Sequence, residues 1–179
     1  MIIQELKLEN FRNLSPTTLK FSSSFNYVLG VNGSGKSNLL EAIGLFGLGR
    51  SFRASGWRQM LQHEQAFYRL EALCQCDGVE QRGLIYRDQS MRQQQLYFDD
   101  ERVGSSIAFV DHFPIQDIHP ESGQLLIDGP SERRRYLDWG AFHVKRDLFA
   151  QAWRRYNQAL QQRNHLIKFN EKKKRVVFI

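Results

Sequence analysis

Hydrophobic and polar positions alternate at the start of the chain. Leu6 and Leu8 stand against Glu5, Lys7 and Glu9, the two-residue period of a half-buried strand over residues 2 to 8. A short second strand is expected at Leu19 to Phe21. The run Phe25-Asn26-Tyr27-Val28-Leu29 is apolar and aromatic and predicts a buried central strand that leads straight into a glycine-rich stretch. From Lys36 the period changes to that of a helix, with Leu39, Leu40, Ile43 and Phe46 on one side and Gly47 and Gly49 available to end it. Phe67 to Cys76 and Val79 to Tyr86 read as strands joined by the hairpin dipeptide Asp77-Gly78, and a third follows at Leu96 to Asp99. Residues 105–118 fit a short helix or a strand, with Phe113-Pro114-Ile115-Gln116 the better strand half.

Beyond this β-meander the pattern is helical. Pro130-Ser131-Glu132 suits a first helical turn, since proline presets the backbone and glutamate faces the positive end of the dipole. A second helix, starting near Asp147, carries Phe149, Trp153, Tyr156, Leu160 and Ile167 at spacings close to a 4-3-4 seam. Either the beginning of a coiled-coil arm or ordinary core packing accounts for that stripe. The final Glu171-Lys172-Lys173-Lys174-Arg175 breaks it.

Composition narrows the class. With 179 residues, 41% hydrophobic and 25% charged, the chain is expected to be one globular domain or part of one. No apolar run approaches the roughly 20 residues of a membrane helix, and Met1-Ile2-Ile3-Gln4-Glu5-Leu6 is no export signal, so a cytoplasmic address is expected. Cys74 and Cys76, two residues apart, point to one face of a strand and are expected as buried small hydrophobes rather than a disulfide or a zinc site. The histidines show no metal-ligand spacing. The net charge of +6 is uneven: Glu132 to Arg175 hold 13 Lys and Arg against 4 Asp and Glu, whereas the first 131 residues hold 12 against 15. That end suits a phosphate-rich partner, or is a solvated helix face.

The glycine-rich stretch carries the chemistry. Gly30-Val31-Asn32-Gly33-Ser34-Gly35-Lys36-Ser37 satisfies the phosphate-loop pattern of Gly, four residues, Gly, Lys and Ser. Glycines let the backbone curl so that successive N–H groups face an anion. In such a loop the lysine, here Lys36, reaches the β- and γ-phosphates, and the hydroxyl of Ser37 ligates Mg²⁺. The pattern therefore predicts a nucleoside triphosphate with Mg²⁺. Hydrolysis needs a second acid at a strand end. Asp111, after Ile107-Ala108-Phe109-Val110, has the form of one, although a helix cap or loop acid fits equally.

Several stretches together resemble a known family. They are Leu8-Glu9-Asn10-Phe11-Arg12-Asn13, the phosphate loop, Leu40-Glu41-Ala42-Ile43 and Gly49-Arg50-Ser51-Phe52-Arg53. The most specific is the spaced series Pro120-Glu121, Leu125-Leu126, Gly129-Pro130, Arg133-Arg134 and Tyr136-Leu137-Asp138. From residue 1 to about His165 the chain resembles the N-terminal half of the RecF family of bacterial DNA replication and recombinational repair ATPases. Asp128 departs from it, where the family usually has another glycine.

The resemblance implies an α/β fold, a P-loop NTPase of the ABC type related to structural-maintenance-of-chromosomes heads, with an antiparallel β-meander subdomain and C-terminal helices, here incomplete. It implies an ATP-binding lobe over residues 1–130, the start of a helical lobe over 131–168 and a basic tail over 169–179 outside the family pattern. It implies ATP sandwiched between two copies in an ATP-dependent homodimer. It also implies DNA binding, to single strands or single/double-strand junctions, in replication, repair and the SOS response, with RecR and RecO as mediators.

For the site residues the same resemblance suggests Arg12 near the base or phosphates, Gln116 as a metal-sensing glutamine beside Ser37, and Arg133, Arg134 and Arg135 on DNA phosphate. The family is a weak DNA-dependent ATPase, but no Leu-Ser-x-Gly-Gln-like signature occurs here and the Walker B strand after it is missing. Asp111 lies too early to replace it. A piece cut from a longer chain, or a natural product shortened by a frameshift or early stop, explains this, and the change at Asn170-Glu171-Lys172 favours the second. A small P-loop phosphotransferase, with Asp111 on the metal, is the alternative, although such kinases are mostly parallel α/β proteins.

Overall fold

The computed structural model describes residues 1–53, 56–116 and 118, together with positions 134, 137, 138, 140, 141, 151, 152, 155, 156 and 158–167. The chain divides into two units, Met1–His119 and Pro120–Ile179.

The first unit is built on strands β1 (Ile2–Glu9), β2 (Thr17–Lys20), β3 (Phe67–Cys76), β4 (Val79–Asp88), β5 (Gln95–Phe98) and β6 (Glu101–Arg102). They form one six-stranded sheet in the order β2-β1-β3-β4-β5-β6. Every neighbouring pair in that sheet is antiparallel. The β3–β4 hairpin pairs in unbroken register from Phe67 with Asp88 to Cys76 with Val79. Its turn works because Asp77 and Gly78 both take positive φ, 51° and 84°, the conformation of the tight hairpin turns whose twist matches the strands.

One face of the sheet is apolar. Leu6 and Leu8 of β1, Tyr68, Leu70, Ala72 and Cys74 of β3, Ile85 of β4 and Leu96 of β5 are all buried. Helix α1 (Lys36–Leu48) adds Leu39, Ala42, Leu45 and Phe46 to the same cluster. The helix ends where Gly49 turns left-handed (φ 66°), with its N–H bonded to the Leu45 carbonyl. A short helix, α2 (Ser106–Val110), and the turn after it bring Phe109 and Phe113 to within 6.0 and 5.3 Å of the Phe46 ring. Gly83 of β4 makes this possible, because a Cβ there would overlap the Phe113 ring.

Four expectations change. Phe25–Leu29 is not a buried strand: the segment has no regular structure, and Phe25, Tyr27 and Leu29 are 83, 84 and 89% exposed. A strand needs a ladder partner, and no strand pairs with this segment among the described residues. Phe113–Gln116 is likewise not a strand, and the helical alternative holds upstream of it, over Ser106–Val110. Of the two cysteines only Cys74 is buried, while Cys76 is half-buried near the β3 end. The strand β6 was not foreseen.

In the second unit positions 151, 152, 155, 156 and 158–167 are helical, in keeping with the helix expected from Asp147. Tyr156 and Ile167 of its apolar stripe are 49 and 43% exposed. The helix start at Pro130–Glu132, together with Phe149 and Trp153, lies outside the described residues, as do the 130/131 lobe boundary and the tail over 169–179.

Candidate phosphate-binding site

The glycine loop leads directly into α1. Gly33 and Gly35 have φ of 83° and 98°, a region that costs a residue with a Cβ about 1 kcal/mol or more. Gly35 is the N-cap of α1 and no side chain caps the helix. The first turn therefore presents backbone N–H groups, at the positive end of a 13-residue helix dipole, without a side-chain acceptor. Across the loop, Ser34 N–H donates to the Val31 carbonyl at 3.2 Å. The Lys36 ammonium donates to the carbonyls of Gly30 and Val31 at 2.8 Å each, which stretches the side chain back over its own loop. This curl, with a cation across it and uncapped amides beneath, fits a polyphosphate.

The turn after β1 supports the loop from outside. Asn10 and Arg12 both have φ of 55°, and the turn is pinned by a bridge of Phe11 with Leu61 and by Arg12 N–H donating to the Met60 carbonyl. Asn13 Nδ2 then donates to the Gly33 carbonyl at 2.9 Å. A Cβ on Gly35 would lie 2.5 Å from Leu14 Cδ2 and 3.0 Å from Asn13 Oδ1, so a larger residue would displace these side-chain ends as well as strain the backbone at φ 98°.

Arg12 faces α1. Its Nε and Nη2 donate to the two carboxylate oxygens of Glu41 at 3.0 and 2.7 Å. Glu41 is fully buried, receives the Ser51 hydroxyl, and has Arg53 Nη1 3.9 Å away. Arg53 also donates to Asn38 Oδ1 at 2.8 Å, and Asn38 Nδ2 to Asn13 Oδ1 at 2.7 Å. Three of the stretches that carry the family resemblance thus meet here, contributing Arg12 and Asn13, Glu41, and Ser51 and Arg53. Sequence reasoning gave none of these except Arg12 a role, and their only signal was membership of those stretches.

Other expected site residues are placed elsewhere. Ser37 lies in the first turn of α1 and is exposed. Gln116 follows Ile115, which packs on Gly47: a Cβ at Gly47 would be 2.5 Å from Ile115 Cβ. Gly47 is ten residues beyond Ser37, about 15 Å along a helix, so the structure does not bring Gln116 to Ser37. Asp111 follows α2 rather than a strand, against the strand-end acid a hydrolytic site needs. Arg134 is helical and exposed in the second unit, while Arg133 and Arg135 are outside the described residues. The perturbed pKa values lie off the site. Burial pushes the Tyr68 hydroxyl up to about 12 and the Cys74 thiol up to about 11, and hydrogen bonds from Ser90 lower Asp88.

Residues 2–118 match the family model described as the RecF/RecN/SMC N terminal domain. The chain is 39% identical over 176 residues to the DNA replication and repair protein RecF of Marinobacter nauticus, covering 94% of this chain and 47% of that protein. It is 40% identical over 165 residues to RecF of Stutzerimonas stutzeri, covering 92% and 44%. It spans about half the length of these curated relatives. Among solved structures, a recombination mediator protein RecF with ATP, from the RecFOR pathway, superimposes with a TM-score of 0.81 at 30% identity, over 93% of this chain and 46% of that one. An SMC head domain from Thermotoga maritima matches at a TM-score of 0.52 and 22% identity, over 63% of this chain and 42% of that one. The fold is that of an ABC-type P-loop ATPase head, of which this chain comprises part. The all-antiparallel pairing of its described strands also sets it apart from the mostly parallel small phosphotransferases. Among the described residues no helix is long and apolar enough to cross a membrane.

Proposed function

Because the chain belongs to the RecF/RecN/SMC N-terminal domain family, we propose that it binds ATP with Mg²⁺ at Gly30–Ser37 as part of a RecF-like protein of DNA replication and recombinational repair. The observation that carries this reading is the Lys36 ammonium held across the loop carbonyls above the uncapped N-terminus of α1. The amides of the loop and of the first turn of α1 hold the phosphates, Lys36 neutralises the β- and γ-oxygens, and Ser37 Oγ ligates Mg²⁺. Bound ATP would supply the γ-phosphate that such heads use to clamp a second copy. Arg12 acts through Glu41, anchoring the β1 turn to α1 beneath the loop. DNA is engaged under ATP control through the basic stretch that includes Arg133, Arg134 and Arg135, in the setting of the SOS response and with RecR and RecO as mediators. The setting is cytoplasmic.

Titration of the chain with Mg-ATP tests the nucleotide half of the reading. Saturable binding that Lys36→Ala weakens at least tenfold is expected, and no saturation up to millimolar ATP would sink it. Anisotropy of a labelled single/double-strand junction tests the DNA half. Binding strengthened by ATP and weakened steeply by salt is expected, and affinity indifferent to ATP would refute it.

A further inference from the structure

We propose that Asn13 is a positioning residue of the phosphate loop, acting on the Gly33–Ser34 peptide and itself oriented by Asn38 and Arg53. The inference rests on the reading of Gly30–Ser37 as a triphosphate cradle.

Gly33 has positive φ, and nothing lies within 4 Å of where its Cβ would be. On the Gly33 side its peptide with Ser34 therefore has no side chain to hold it, in a residue type with the widest backbone freedom. The Asn13 amide supplies the restraint, with Nδ2 2.9 Å from the Gly33 oxygen. In a planar trans peptide the C=O and the following N–H point in opposite directions. Holding the Gly33 oxygen outward turns the Ser34 N–H inward, where it meets the Val31 carbonyl at 3.2 Å. That carbonyl also receives the Lys36 ammonium at 2.8 Å. One amide contact from outside the loop thus sets both its curl and the seat of its lysine.

The polarity of the contact is determined by a chain of side chains. Arg53 can only donate, so the atom of Asn38 that it touches at 2.8 Å is the oxygen. Asn38 then presents its NH₂ to Asn13 at 2.7 Å, and the atom it meets is the Asn13 oxygen. Asn13 is left with its NH₂ toward Gly33. With the opposite orientation it would set oxygen against oxygen. The Glu41 carboxylate, 3.9 Å from Arg53 Nη1, holds the guanidinium at the far end.

The test uses the full 179-residue chain with Asn13→Ala, Asn38→Ala and the double variant. Without nucleotide, the amide signals of Gly33, Ser34 and Gly35 should shift and their hydrogen exchange quicken in Asn13→Ala, while the melting temperature stays within about 2 °C of wild type. With Mg-ATP, Asn13→Ala should bind about fivefold more weakly, the worth of one ordinary hydrogen bond, and Asn38→Ala about threefold. The double variant should bind no more weakly than Asn13→Ala, because Asn38 works through Asn13. Unchanged loop amides in Asn13→Ala would overturn the inference whatever ATP does, as would additive losses in the double variant. A wild-type chain that binds no ATP, yet whose loop amides respond to Asn13→Ala, would refute the cradle and leave the positioning role standing.

Discussion

At Glu41 a carboxylate without solvent exposure is met by two guanidinium groups and a hydroxyl. The attraction matters less than what its loss leaves behind. Glu41→Ala would strand Arg12, whose side chain is only 20% exposed, without its two-pronged partner, and breaking such a pair costs about 3 kcal/mol. Urea unfolding should show that loss for Glu41→Ala. Arg53→Ala, which removes a 47% exposed side chain from 3.9 Å, should cost under about 1 kcal/mol. Equal losses would contradict the unequal roles given to the two arginines. Tyr68 and Cys74 make a second prediction. Their folded pKa values are raised, from 10.0 to about 12 and from 9.0 to about 11. The folded state therefore holds these protons where the unfolded chain has released them. Their contribution is intact below pH 9 and is lost as pH rises through 11 and 12. The urea midpoint should fall over that window, and fall less steeply in a Tyr68→Phe, Cys74→Ala double variant.

At the scale of elements, Phe25–Leu29 separates composition from structure. Leu29 is 89% exposed, so Leu29→Ser should change stability by less than about 0.5 kcal/mol in the isolated chain, whereas a buried strand position would lose 2 kcal/mol or more. Chemical denaturation decides between the two. Apolar runs report what a segment can bury, and they are silent on whether a neighbour arrives to pair with it. The β3–β4 hairpin was legible because its turn, Asp77-Gly78, and both of its strands are contiguous in sequence. Helix α1 was legible because its period and its Gly49 stop are local. Gln116 was not, since its place depends on Ile115 settling on Gly47, 68 residues earlier in the chain. The Asn13–Asn38–Arg53–Glu41 chain was hidden for the same reason: hydrogen bonds across 25 and 15 residues, and an ion pair beyond them, leave no periodicity to read. The phosphate loop itself was visible as eight consecutive residues, while the turn that steadies it was not.

For the whole molecule the question is how far the loop's state reaches. Trp57 sits in the first unit with the Arg87 guanidinium 4.7 Å from its ring, while Trp139 and Trp153 belong to the second. A Trp139→Phe, Trp153→Phe chain therefore reports unfolding of the first unit alone. Ligand that binds only folded protein adds RT ln(1 + [L]/Kd), about 2.7 kcal/mol at a hundredfold excess over Kd. For a chain of this size that corresponds to roughly 5 to 10 °C in melting temperature. Trp57 fluorescence should show such a rise with Mg-ATP, and about half of it or less in Lys36→Ala. Circular dichroism at 222 nm, which also registers the helix at 158–167, tests whether the second unit follows. A single transition moving as one with Trp57 would mean that the two units unfold together and share the ligand's stabilisation. A helical signal that melts separately and ignores ATP would confine the effect of nucleotide to Met1–His119, and would count against the proposed control by ATP of DNA binding through the second unit.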